Sequence, residues 1–153
     1  MELSVRKNTR IPGYDYSTRN YYFVTICTNN KECIFGEPKH LNVFGKIAEE
    51  CIIKIPEYYK YTTVDKYVVM PNHIHMVLII GTEQNKEDLP NLSHIIGQYK
   101  MSVTKKIHKI CADSHVWQRS FHDHIIRNQQ AYEKIWMYIE ENPDKWEEDC
   151  FFM

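Results

Sequence analysis

This chain of 153 residues carries almost no net charge: 19 Lys and Arg stand against 20 Asp and Glu, a formal charge of -1. Domains that bind nucleic acid usually show a basic excess, because their affinity comes from neutralising phosphates. The balance therefore weighs against a strongly electrostatic nucleic-acid binder and predicts modest, salt-sensitive non-specific affinity. A local basic groove on a neutral protein stays open. No CxxC pair is present, and the five cysteines (Cys27, Cys33, Cys51, Cys111, Cys150) are odd in number and unpatterned. That excludes a disulfide frame or a zinc knuckle and predicts reduced thiols. No apolar run is long enough to span a bilayer, and the opening MELSVRKNTR lacks the apolar stretch of a secretory signal. A cytoplasmic location is the expectation. There is no internal repeat and no low-complexity linker, so residues 1–153 read as a single domain.

What is present is an ordinary globular composition, 43% apolar, with 13% aromatics including eleven Tyr. Some of these rings belong in a core, and some could stack on bases. Residues 1–19 place Arg6, Lys7, Arg10 and Arg19 around a Pro12-Gly13 turn and read as a basic, irregular arm. Residues 21–28 (YYFVTICT) are rich in β-branched and aromatic side chains, as a strand is. Over 42–55, Phe44, Ile47, Ala48, Cys51, Ile52 and Ile55 recur at helical spacing, with Pro56 just past the end. Residues 62–69 predict a second strand, Met70-Pro71-Asn72 a turn, and 73–80 a third strand covered on at least one face.

A polar loop follows over 81–90. Leu92, Ile95, Ile96, Tyr99, Val103 and Ile107 then trace a helix over 91–110. Residues 116–126 hold one or two short strands. Asn128 is a candidate N-cap for a last helix over 129–142 that ends before Pro143. The order β-α-β-β-α-β-α predicts an α+β fold. Its first six elements match a ferredoxin-like split βαβ antiparallel sheet with helices on one face, and the final helix packs on or beside the sheet.

The sharpest local feature is His73-Ile74-His75. Residues two apart on a strand point to the same face, so both imidazoles can aim at one ion. The same spacing recurs at His122-Asp123-His124, so on spacing alone chance is the commoner explanation for either pair. On the last helix Tyr132, Ile135, Trp136 and Ile139 form the core stripe. Tyr138 and Asn142 are i, i+4 neighbours at its edge. From there a phenol can reach a site on the sheet while the helix stays docked. Asn142, at a fraying helix end, has a side-chain oxygen free to ligate. Taken alone, the pair reads more readily as a boundary aromatic at Tyr138 and a helix stop at Asn142.

VVMPNHIHMVLII resembles the HUH strand (His, hydrophobic, His) of single-tyrosine transposases. VWQRSFHDHIIRN followed by YIEENPDKW resembles the C-terminal signature of the REP-associated tyrosine transposases. IPGYDYSTRNYYFVTICTNNKECIFGE resembles their opening strand. The similarity runs through essentially the whole chain in order, and departs at His122, where many relatives have a second aromatic. It implies that His73, His75 and Asn142 hold a divalent ion (Mg²⁺ or Mn²⁺) and that Tyr138 on the C-terminal helix is the catalytic nucleophile. Family members often have glutamine where Asn142 stands, so a shorter side chain must sit closer to the ion.

The reaction so implied is cutting and rejoining of single-stranded DNA through a 5′-phosphotyrosine, on strands folded as imperfect-palindrome hairpins, by a monomer or a homodimer. Gln98, Lys105 and Lys109 on the second helix, Arg119 and Arg127 around the strands before the last helix, and the arm residues Arg6, Lys7 and Arg10 are candidates to grip phosphates. The acidic run Glu140, Glu141, Asp144, Glu147, Glu148, Asp149 is expected to face away from DNA. Two other readings stand beside this one: a metal-dependent phosphodiesterase using water, and a hairpin-binding remnant without catalysis.

Overall fold

The computed structural model describes residues 20–82 and 87–153. The elements run β1 (Asn20–Cys27), a small hairpin of β2 (Gly36–Glu37) and β3 (His40–Leu41), α1 (Val43–Ile53) and α2 (Ile55–Tyr58). Then come β4 (Thr62–Met70), β5 (His73–Ile80), α3 (Leu92–His108), β6 (His122–Ile125) and α4 (Gln129–Glu141). The four long strands form one antiparallel sheet in the order β4-β5-β1-β6. Counted without the small hairpin and read from the β6 edge, that is 4-1-3-2, the split βαβ arrangement the sequence predicts.

The expected first helix is two. Lys54 ends α1, and Pro56 sits in the first turn of α2, where its missing N–H costs nothing. Asparagine caps start all three long helices. Asn42 accepts from the Gly45 N–H, Asn91 from Ser93 and Asn128 from Ala131. The 116–126 segment yields one strand, β6, and a single bridge between Thr28 and Trp117.

All eight residues of β5 are buried, because both faces of the sheet are covered. Ile74, Met76, Leu78 and Ile80 meet α1 and α3, joined by Val24, Ile26, Ile52, Ile95, Ile96, Val103 and Ile107. Val77 and Ile79 face the other way, where Tyr21, Ile126 and Ile139 form a smaller core with Phe23, Val68, Tyr132 and Ile135. The last helix thus lies on the face opposite the other helices. It docks lightly: Ile139 is the one buried side chain of α4, against six in α3.

A β-bulge between Val64 and Lys66 adjusts β4 to this neighbour. Two-residue alternation would put Lys66 on the same face as Val64. The extra residue shifts the phase, so Tyr67 and Val69 stay in the large core and Val68 joins the small one. Lys66 then lies over the Trp136 ring at 3.8 Å and pairs with Glu140, while the Tyr132 hydroxyl donates to Asp65.

Candidate metal and nucleophile site

His73 and His75 belong to the odd-numbered set of β5 and so point toward α4. Their ring centroids are 4.7 Å apart, and both side chains are buried. Each is oriented from behind through its Nδ1. For His75 the partner is Thr25 Oγ1 at 2.8 Å, directly opposite in the β1–β5 register. For His73 it is Asn72 Oδ1 at 2.9 Å. The Asn72 amide nitrogen donates to the carbonyls of Lys31 (3.1 Å) and Phe151 (2.7 Å). With the nitrogen so used, its oxygen must accept, and His73 Nδ1 carries the proton. The Nε2 of His73 therefore offers a lone pair to the site.

The turn that carries this pair is itself pinned. The Thr28 N–H and hydroxyl both donate to Asn72 O, and the Phe35 N–H donates to Pro71 O.

α4 brings the next two groups. The Tyr138 ring lies 5.2 Å from that of His75 and 6.3 Å from that of Phe23, with the residue 43% exposed, so it faces both the histidines and solvent. Asn142 is buried rather than fraying. The chain does not stop there but tightens into a 3-10 segment, Asn142–Glu148, seated by buried Trp146. The Asn142 amide is near enough to act on both partners, favouring protonated His73 and ionised Tyr138. Its Oδ1 nevertheless completes no hydrogen bond.

The acidic run does not all face outward. The Asp149 side chain is 2% exposed, and its Oδ2 lies 3.7 Å from His73 Nε2. The residues after it close the site: the Phe151 ring sits 4.4 Å from that of His73.

Electrostatics follow from this burial. Desolvation pushes His73 down to about 4, against the pull of Asp149. It pushes His75 well below the ordinary range too, with His73 adding in the same sense. Both imidazoles are neutral near pH 7, the form that ligates metals. Burial, then Asp149, raises the Tyr138 phenol above its usual value, and Asn142 opposes them.

Among the described residues six buried side-chain polar atoms lack a hydrogen-bond partner. Four belong here: His73 Nε2, His75 Nε2, Asn142 Oδ1 and Asp149 Oδ2. Orphaned buried polar atoms are costly and uncommon. Four in one cluster, two imidazole nitrogens with an amide and a carboxylate oxygen, make a donor set of the kind that fits a divalent cation. No three His, Cys, Asp or Glu side chains among the described residues form a cage unaided. Two imidazoles and side-chain oxygens suit Mn²⁺ and, less well, Mg²⁺.

The second His-x-His pair stands outside this cluster, with Phe23 between His124 and the site. His122 is exposed on edge strand β6, and His124 packs its ring edge against Phe23 at 5.6 Å. Of the candidate DNA contacts, Gln98, Lys105 and Lys109 line a cavity of about 250 Å³ with Lys54, Tyr58 and Lys106, on the α1/α3 side of the sheet. Arg119 is exposed before β6. Arg127 lies just before α4, with Nε and one Nη buried and unpartnered. Arg6, Lys7 and Arg10 fall outside the described residues. Thr25, Asn72 and Asp149 escaped sequence reading. The only signal for the first two was their register beside the histidines, and Asp149 was one acid among six.

The cysteines are unpaired: Cys27 and Cys51 are buried, Cys33, Cys111 and Cys150 exposed. No helix among the described residues is long and apolar enough to cross a membrane.

No family model matches the chain. An uncharacterized protein of Haemophilus influenzae is 33% identical over 97% of this chain and 93% of its own length. A second protein of that organism, named "Putative REP-associated tyrosine transposase", is 26% identical over 86% of this chain and 74% of its own. The solved structure of a REP-associated tyrosine transposase bound to a REP hairpin superposes with a TM-score of 0.58. It is 19% identical and covers 90% of this chain and 74% of that one, a likeness of fold. With the fold, the motif order and relatives that extend along nearly its whole length, the chain belongs to the REP-associated tyrosine transposase family.

Proposed function

We propose that the protein is a metal-dependent DNA nickase-ligase that cuts single-stranded DNA beside a hairpin through a covalent bond to Tyr138. The observation that carries this reading is the cluster of buried lone pairs beside a half-exposed phenol. His73, His75 and Asn142 would hold the divalent ion, whose contribution is to offset charge on the scissile phosphate.

The protein's own groups do the rest. Thr25 and Asn72 fix the imidazoles, so no reorganisation is needed when the substrate arrives. Tyr138 is open to solvent, so a strand can reach it. Its oxygen attacks phosphorus; the P–Oη bond forms, the P–O3′ bond breaks, and the proton lost by the phenol is taken up by the leaving 3′ oxygen. Ionising an ordinary phenol at pH 7 costs about 4 kcal/mol. Burial adds to that cost, while the Asn142 amide offsets part of it. The phosphotyrosine ester conserves the bond energy, so the 3′-OH of another strand can reverse the step and join. That favours strand transfer over hydrolysis.

Hairpin DNA is the proposed ligand because one structural neighbour was solved on a REP hairpin. Lys54, Lys105, Lys106 and Lys109 provide a local basic surface on a chain of near-zero net charge. Arg127, with unpartnered guanidinium nitrogens at the start of the nucleophile helix, is a second phosphate contact.

The test is a covalent trap. Single-stranded hairpin DNA with Mn²⁺ should give a denaturation-resistant protein–DNA adduct with the native chain and none with Tyr138→Phe. Cleavage without an adduct would point to water as nucleophile. Metal-independent hairpin binding without cleavage would point to a remnant. Either outcome sinks the proposal.

A further inference from the structure

The carboxylate of Asp149 has no role in the chemistry above, yet it is as buried as the histidines. One oxygen, Oδ1, accepts from the Phe151 N–H at 2.8 Å. The other, Oδ2, has no hydrogen-bond partner. It faces His73 Nε2 at 3.7 Å, too far for a hydrogen bond. His73 carries its proton on the opposite nitrogen, the one that donates to Asn72. Two lone pairs are therefore aimed at each other inside the protein. Such an arrangement repels, and burying an unpaired carboxylate is costly. A cation between them removes both penalties. For donors about 2.1 Å from one ion, neighbouring donors stand about 3.0 Å apart and opposite ones about 4.2 Å. The observed separation lies between the two.

We infer that Asp149 is the anionic donor of the divalent-ion site, alongside His73, His75 and Asn142, so that the segment after the nucleophile helix is part of the metal centre. This rests on the metal-site reading proposed above. The segment is placed for the task. The Trp146 ring lies 6.1 Å from that of His73, and the Phe151 carbonyl accepts from Asn72, the residue that also orients His73. One asparagine thereby aligns two donors, the imidazole directly and the carboxylate through Phe151. A carboxylate among the donors favours a hard ion and halves its net charge. Three neutral ligands would leave that charge whole.

The experiment measures Mn²⁺ binding by the full chain without DNA, using the free-ion electron paramagnetic resonance signal. Native protein is compared with Asp149→Asn, His75→Ala and Glu148→Gln, the last an exposed acid next in sequence. Asp149→Asn should weaken binding by roughly tenfold or more, a loss on the scale of disturbed metal shells, while Glu148→Gln leaves it unchanged. If Asp149→Asn binds within twofold of native while His75→Ala loses the ion, Asp149 is not a donor and the histidine site stands. If native protein binds no Mn²⁺ at millimolar concentration, or His75→Ala binds as native does, the metal-site reading itself fails. Asp149→Cys guards against a merely structural role. A direct ligand position should add a Cd²⁺–thiolate charge-transfer band over the signal of the native protein with its five cysteines, read as the variant-minus-native difference. A folded Asp149→Cys without that band overturns the inference.

Discussion

Acidifying the metal-free protein should reveal the burial of His73 as a loss of folding stability in a defined window. Unfolded, this imidazole takes up a proton near 6.5; folded, only near 4. The folded-state value is depressed, so the stabilisation is complete above pH 6.5 and is lost as pH falls toward 4. At about 1.36 kcal/mol per unit, the full loss from His73 is about 3 kcal/mol, a large share of a typical domain's 5–15 kcal/mol. His75 is shifted in the same direction, so it adds to the loss. Urea denaturation in EDTA at steps from pH 7.5 to 4.5 measures the slope. His73→Gln supplies the control, because a side chain that does not titrate removes this part of the dependence. The quantity of interest is the native-minus-variant difference, which excludes every carboxylate elsewhere. A difference that stays flat between pH 6.5 and 4.5 refutes the argument that His73 is held neutral by its surroundings.

Thr25→Val should leave the fold intact but release His75 Nδ1, weakening Mn²⁺ affinity by about 10–100-fold; calorimetric titration reads it, and unchanged affinity refutes the orienting role. Glycine positions should split by environment. Gly97→Ala, with nothing within 4 Å of the new carbon in α3, should stabilise by about 0.5–1 kcal/mol. Gly45→Ala, whose Cβ would stand 2.3 Å from the Phe35 carbonyl oxygen, should destabilise; paired thermal melts decide both. Lys105→Ala with Lys109→Ala should lower the salt dependence of hairpin binding by about two units of slope, measured by anisotropy across salt concentrations. A slope unchanged by the pair removes that cavity from the DNA surface.

The sequence made the fold legible wherever one periodicity ruled a segment. β5 and α3 appear close to their predicted spans because apolar residues recur at strand or helix spacing without interruption. The break at Lys54 was hidden, since apolar residues run on through Ile55 and only Pro56 hints at a restart. The face chosen by α4 was equally hidden. A helix with one deeply buried residue carries too weak a stripe to say which side of a sheet it covers. At the site, His73, His75, Tyr138 and Asn142 were visible as spacings, and the structure brings all four together. Asp149 was not, because an acid in an acidic run looks like a solvated face until a 3-10 turn folds it inward. Asn142 illustrates the same limit. Its side chain points where the spacing put it, but the chain's onward path buries what a helix end would have exposed.

The sheet between the two cores acts as a partition. The histidines and tyrosine lie on its α4 face and the lysine cavity on its α1/α3 face, with no shared side chains between them. Substitutions on the two faces should combine with free energies that add within about 0.3–0.5 kcal/mol, as distant, non-touching sites do. Under the proposed function, a lineage with this architecture could revise which DNA it holds without retuning how it cuts. The reverse holds as well. Variation in the cavity lysines is then no guide to whether a relative still cuts; the four electron-pair donors and the phenol are.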